Sequence, residues 1–171
     1  MNLFSLQKWS LQPQAINELI ALFGPGVDKK LALSWLRAFT DGDFSGLPPV
    51  ITLPSECMPG LWGGYSREKN RIYLSVDCPP ELVDAVLIEE VGHFLDRELC
   101  AHETPGEEGA RFAALVLGFQ PTAAELQNWQ TDEGWSWVFE ESKPVLVEGA
   151  KKGKKKSSSN GGGGKKEQKK I

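Results

Sequence analysis

ELVDAVLIEEVGHFLDREL, residues 81–99, decides the fold. Pro79 and Pro80 precede it, and proline is tolerated in a first helical turn because its missing N–H would have no partner there. Val83, Ala85, Leu87, Ile88, Val91, Phe94, Leu95 and Leu99 spread apolar surface over most of the circumference, the pattern of a buried helix. Within it stand Glu89, Glu90 and His93. Each residue turns about 100°, so Glu89 and His93 at i,i+4 lie nearly one above the other, with Glu90 about 100° round. Buried charges are costly unless they are paired, hydrogen-bonded or bound to a metal, so this helix needs partners.

The next segment supplies one. Thr104 and Glu107 have capping-box spacing, with Pro105 at the first helical position, and a helix is expected through about Leu117. Glu108, Phe112 and Leu115 follow i, i+4, i+7, which puts Glu108 on the core stripe. Glu107 lines up with Arg111 and has a capping task, so it is the secondary carboxylate. Thr122 and Glu125 repeat the capping-box spacing for a short helix, and GWSWVFEESKPVLVEG reads as a terminal hairpin by its period-two Trp135, Trp137, Phe139 and Val145, Val147.

Upstream, QAINELIALF (14–23) reads as a helix stopped by Gly24-Pro25-Gly26, and Asp28 N-caps a second helix through Phe39. VITL (50–53) is a strand, and residues 60–77 form a hairpin whose second arm begins at Arg71. The expected architecture is α+β: N-terminal helices, a small antiparallel sheet, two packed central helices and a C-terminal hairpin. No internal repeat is found.

Charge divides the chain. Residues 151–171, KKGKKKSSSNGGGGKKEQKKI, hold nine Lys and one Glu, while residues 1–150 hold 10 basic and 22 acidic residues, a net of −12. The formal net charge of −4 over 171 residues describes neither part. The expected organisation is one domain over 1–150 and a disordered Lys/Gly/Ser-rich tail over 151–171, which cannot bury enough apolar surface to offset its ordering entropy. A uniformly basic nucleic-acid binder, a collagen-like chain and a membrane span are excluded by composition. The three cysteines, Cys57, Cys78 and Cys100, are widely spaced and exclude a disulfide framework and a Cys-rich zinc ribbon, though not a single disulfide. The first residues lack a signal peptide's basic start and apolar core, so a cytoplasmic protein is expected, with leaderless secretion as the other route.

The strand RIYLSVD, the helix with Glu90-x-x-His93 and the Glu-bearing helix after it resemble the zincin metallopeptidases, whose motif is HExxH on a central helix. The resemblance implies Glu90 as the catalytic base and Glu89, His93 and Glu108 as metal ligands, with Glu89 standing where the motif has its first histidine. Two carboxylates and one imidazole form a harder set than a typical catalytic zinc site; Zn²⁺ is expected first, Mn²⁺ or Fe²⁺ as alternatives. With no metal, the same residues are a structural Glu–His network. The run from Trp35 to about Gly118 also resembles an uncharacterised domain of cyanobacterial proteins, often found beside hemolysin-type calcium-binding repeats. It does so through DGDFSGLPPV, RIYLS, VLIEEVGHFLDREL and TPGEEGARFAALVLG. The glycine-aspartate repeats themselves are absent.

The leading functional expectation is therefore a zincin-like metal-binding domain, a metal-dependent peptidase in its active form, acting on a peptide or protein. The alternative is a non-catalytic interaction domain whose tail, 151–171, contacts nucleic acid, anionic lipid or an acidic protein surface. A third idea makes the chain a precursor, with VEGA before the tail as the processing point. One ExxH motif with His93 does not make a di-iron bundle, which needs two. His102 is expected to be exposed, and no GxSxG elbow, P-loop or GxGxxG is present.

Overall fold

The computed structural model describes residues 3–102, 104–131 and 134–153. Among these residues, six α-helices, a 3₁₀ turn (Ser55–Cys57) and one five-stranded mixed sheet make an α+β fold. The helices are α1 (Phe4–Ser10), α2 (Ala15–Phe23), α3 (Lys29–Thr40), α4 (Pro80–Leu99), α5 (Glu108–Leu117) and α6 (Ala123–Thr131). The strands are β1 (Val50–Leu53), β2 (Gly63–Ser66), β3 (Arg71–Ser75), β4 (Trp135–Glu140) and β5 (Lys143–Glu148).

Local signals set most boundaries. Gly24, at φ 93°, ends α2 in a backbone conformation that glycine adopts without strain. The Asp28 carboxylate accepts the Leu31 N–H at 3.0 Å and caps α3. Gly118 closes α5 in the left-handed conformation. The capping box at α6 forms: Glu125 N–H donates to Thr122 Oγ1 at 3.2 Å, and Thr122 N–H donates to Glu125 Oε2 at 2.8 Å.

Three features depart from the sequence reading. A helix precedes the two expected ones, α1, which buries Leu6, Trp9 and Ser10. The capping box of Thr104 and Glu107 does not form: α5 has no side-chain cap, and Thr104 instead gives both its hydroxyl and its N–H to Asp96. Asp96 is completely buried, so its carboxylate needs donors more than the helix end does. The sheet is mixed rather than antiparallel, in the order β1-β3-β2-β5-β4, because β1 pairs parallel to β3. The terminal hairpin joins this same sheet through β5 against β2.

The sheet separates two cores. On one side α4 and the other helices bury Leu87, Ile88, Val91, Phe94, Leu95 and Phe112 with Tyr65 and Ile72. On the other, Met58 and Leu61 cover Tyr73, Val138, Val145 and Val147. α4 and α5 cross at glycine: a Cβ on Gly92 would lie 2.8 Å from both Gly109 Cα and Phe112 Cβ. Only two residues without side chains allow this approach, and it draws the start of α5 down onto the charged arc of α4. Among the described residues no helix is long and apolar enough to cross a membrane.

Candidate metal centre

The charged arc of α4 is buried as its apolar surroundings require. Glu90 and Asp96 have no exposed surface, His93 has almost none, and Glu89 is half-buried. The N-terminus of α5 adds Glu107 and Glu108, both buried, where the helix dipole favours negative charge. β5 adds buried Glu148.

His93 stands at the centre and divides these carboxylates into two groups. Its Nδ1 lies 3.0 Å from Glu108 Oε1 and 3.0 Å from Glu148 Oε2. Nδ1 therefore carries a hydrogen, shared between two carboxylates. Arg67, from the β2–β3 turn, balances their charge: Nε donates to Glu148 Oε1 at 2.9 Å, and a terminal nitrogen lies 3.2 Å from Asp96 Oδ2. The same guanidinium lies over the Trp135 ring, 5.9 Å from its centroid.

The other nitrogen faces a different environment. His93 Nε2 is buried and, among the described residues, has no hydrogen-bond partner. A ring nitrogen of His93 and one carboxylate oxygen each from Glu89 and Glu107 lie within 4.8 Å of one another. With Nδ1 engaged elsewhere, Nε2 is the nitrogen that this group can use. Gly109 flanks it so closely that a Cβ there would sit 2.5 Å from Nε2. Gly134 abuts Glu107 in the same way, at 2.6 Å from Oε1.

The structure thus places acidic and histidine groups that could hold a metal ion, but pairs them differently from the sequence reading. Glu89 and His93 are together as expected. Glu108 belongs to the Nδ1 group, and Glu107, the secondary carboxylate by spacing, stands in the group with Glu89. Glu148, Arg67 and Asp96 were missed. Asp96 falls at i+3 from His93 and carried a periodicity signal. Glu148 carried a weaker one, opposite in parity to the buried Val145 and Val147. Arg67 carried none.

Electrostatics follow the geometry. Burial pushes Glu90 well above the usual carboxylate range; charged His93 pulls against this, while Glu89 pushes it higher. For His93, burial opposes the charged form, but the hydrogen bonds to Glu108 and Glu148 and the nearby charge of Glu90 outweigh it and raise the pKa well above the usual value. Burial also works against the Glu148 carboxylate, yet His93 and then Arg67 hold it below its ordinary value. Glu90 Oε1 accepts the Ala150 N–H at 3.1 Å, and Oε2 is buried with no partner among the described residues. His102 is exposed, and the three cysteines are free.

Comparison with protein-family models, with curated proteins and with solved structures finds no match for this chain.

Proposed function

We propose that this chain is a zincin-like metal-binding domain with metal-dependent peptidase activity, its ligands being His93 Nε2, Glu89 and Glu107. The observation that carries the reading is the buried Nε2, unpartnered among the described residues, beside two carboxylates within 4.8 Å. A buried imidazole nitrogen without a partner is costly, and a cation among two carboxylates removes that cost. The Nδ1 contacts support the same reading, because metal-ligating histidines commonly donate their other N–H to a carboxylate that fixes the ring.

A divalent cation there supplies Lewis acidity for attack on a peptide carbonyl. Burial raises Glu90, and the charge of a bound cation would act the other way, favouring the carboxylate that a general base requires. That role is supported by Glu90 having one oxygen on a backbone N–H and the other with no partner among the described residues. The two-carboxylate, one-histidine set admits Zn²⁺, Mn²⁺ or Fe²⁺.

Metal analysis after dialysis against each ion tests the proposal. One equivalent is expected in the native protein, with loss in His93→Ala and Glu107→Gln. Glu108→Gln is expected to weaken binding by only about 10–100-fold, the range for a partner that orients a ligand. No stoichiometric metal in the folded native protein sinks the reading and leaves a structural network joined by Arg67.

A further inference from the structure

Beyond β5 the chain stays on the sheet. Trp62 N–H donates to Ala150 O at 2.7 Å, Leu61 bridges Lys151, and Lys152 N–H donates to Gly60 O at 2.6 Å. Residues 149–152 therefore lie antiparallel along the segment before β2, as a peptide does when it adds to a strand edge. The register slips between Tyr65–Glu148 and Leu61–Lys151, so the first segment carries one extra residue, a bulge. At the bulge the Ala150 N–H turns from the ladder and donates to Glu90 Oε1 at 3.1 Å. The fit around this bond is close. A Cβ on Gly149 would lie 2.3 Å from Gly63 O, and one on Gly63 would lie 2.7 Å from Glu90 Oε1. Both Gly149 and Ala150 are buried.

We propose that the peptide bond Gly149–Ala150 is a substrate of this domain, cleaved in cis to release the basic peptide Ala150–Ile171. The inference rests on the peptidase reading and names its substrate. Glu90 is already on the leaving nitrogen through Oε1, and Oε2 is the oxygen left to take a proton from water. The water oxygen bonds to the Gly149 carbonyl carbon, the carbon–nitrogen bond breaks, and Glu90 passes the proton to the Ala150 nitrogen. The second proton of the water also ends on that nitrogen, so the products are a Gly149 carboxylate and an Ala150 ammonium group, with no other reactant consumed. Charge separates at the same bond, because all nine lysines of the basic tail follow it. The Lys152 ammonium lies 4.5 Å from the Trp62 ring centroid and 3.3 Å from Ser55 Oγ, so the released peptide dissociates only after these contacts break.

The full-length chain, purified in chelator, is incubated with Zn²⁺, Mn²⁺ or Fe²⁺ and followed by intact-mass spectrometry under denaturing conditions. The expected result is two species, residues 1–149 and 150–171, formed at a rate unchanged on hundredfold dilution. Glu90→Gln is expected to slow cleavage at least about a hundredfold. Ala150→Pro removes the donated N–H and sets a ring carbon against Glu90 Oε1; it is expected to stay intact, and its metal binding is measured beside the native protein's to show that the ligands are still in place. A native protein that binds metal and keeps its full mass overturns the cleavage and leaves the metal reading standing. Failure to bind metal together with an intact mass overturns both. Cutting at any other bond, or equal cutting of Ala150→Pro, overturns the assignment of Gly149–Ala150.

Discussion

Glu148, on the last strand, reaches Nδ1 of His93, on the central helix, at 3.0 Å. This contact ties the terminal hairpin to the candidate metal site, and Arg67 completes it by holding Glu148 Oε1 at 2.9 Å. Removing the imidazole leaves Glu108 and Glu148 buried with only the guanidinium between them. His93→Ala is therefore expected to destabilise the metal-free protein by about 3–5 kcal/mol, the cost of taking one partner from a buried charged pair. Urea denaturation in chelator measures it. Glu148→Gln keeps an acceptor oxygen and loses charge, so it is expected to cost less and to weaken metal binding about 10–100-fold with the ligands intact.

The strap after β5 is expected to matter for folding as well as for chemistry. Truncation after Glu148 removes the Ala150 N–H, the hydrogen-bond donor to Glu90, and the buried Ala150 side chain that packs with Val86. Truncation after Gly153 keeps both. The shorter form is expected to be less stable than the longer by about 1–3 kcal/mol, the cost of leaving a buried polar group unsatisfied. Parallel urea melts of the two forms decide it, and equal midpoints would show that Glu90 does not need the strap.

How much of this was legible in the sequence depended on range. The apolar circumference of 81–99, the Asp28 cap and the Thr122–Glu125 box are local patterns, and each formed as read. α1 was not legible, because seven residues are too few for a helical period to show. The β4–β5 hairpin was visible by alternation. Its turn was not, since Glu141 and Ser142 both take positive φ without a glycine to announce it. Pairing of β5 with β2 joins distant segments, and no local pattern announces such a contact. Glu148 reaches the site through that pairing, and Arg67 through the packing of β2 against α4, which is equally long-range. The choice between Glu107 and Glu108 failed for a related reason: the Gly92–Gly109 crossing brings both carboxylates to one imidazole, one to each side of it.

Alkaline pH tests the far side of the sheet. Tyr73 is fully buried, and its hydroxyl donates to Glu140 Oε2 at 3.0 Å. Burial, reinforced by that hydrogen bond and the glutamate's charge, raises its phenol from 10.0 to about 12. A pKa raised on folding contributes stability that is fully present below the unfolded value and is lost as pH rises through the folded one. The native protein is therefore expected to lose stability from pH 10 toward pH 12, over the window the shift defines. Tyr73→Phe is expected to show a smaller loss there. Denaturation midpoints from pH 8 upward measure the difference, and parallel curves for the two proteins would contradict it.

Gly109 separates packing from chemistry at the α4–α5 crossing. Alanine is favoured over glycine in a helix by about 1 kcal/mol, so propensity alone predicts that Gly109→Ala stabilises. The added methyl would lie 2.5 Å from His93 Nε2 and 2.6 Å from the Glu89 carbonyl oxygen. Neither neighbour is a flexible chain end: one is helix backbone, and the other is a ring held by two hydrogen bonds. Overpacking of about 1–3 kcal/mol therefore outweighs the propensity gain, and a net loss of stability is expected. Relief comes from parting the helices or from rotating the imidazole. Parting them moves Glu107 away from Glu89, and rotating the ring takes Nε2 away from both. Either movement is expected to lower metal affinity more than Glu148→Gln does. Calorimetric titration of Gly109→Ala beside its urea melt reads both effects, and unchanged affinity with lowered stability would place the metal away from Nε2.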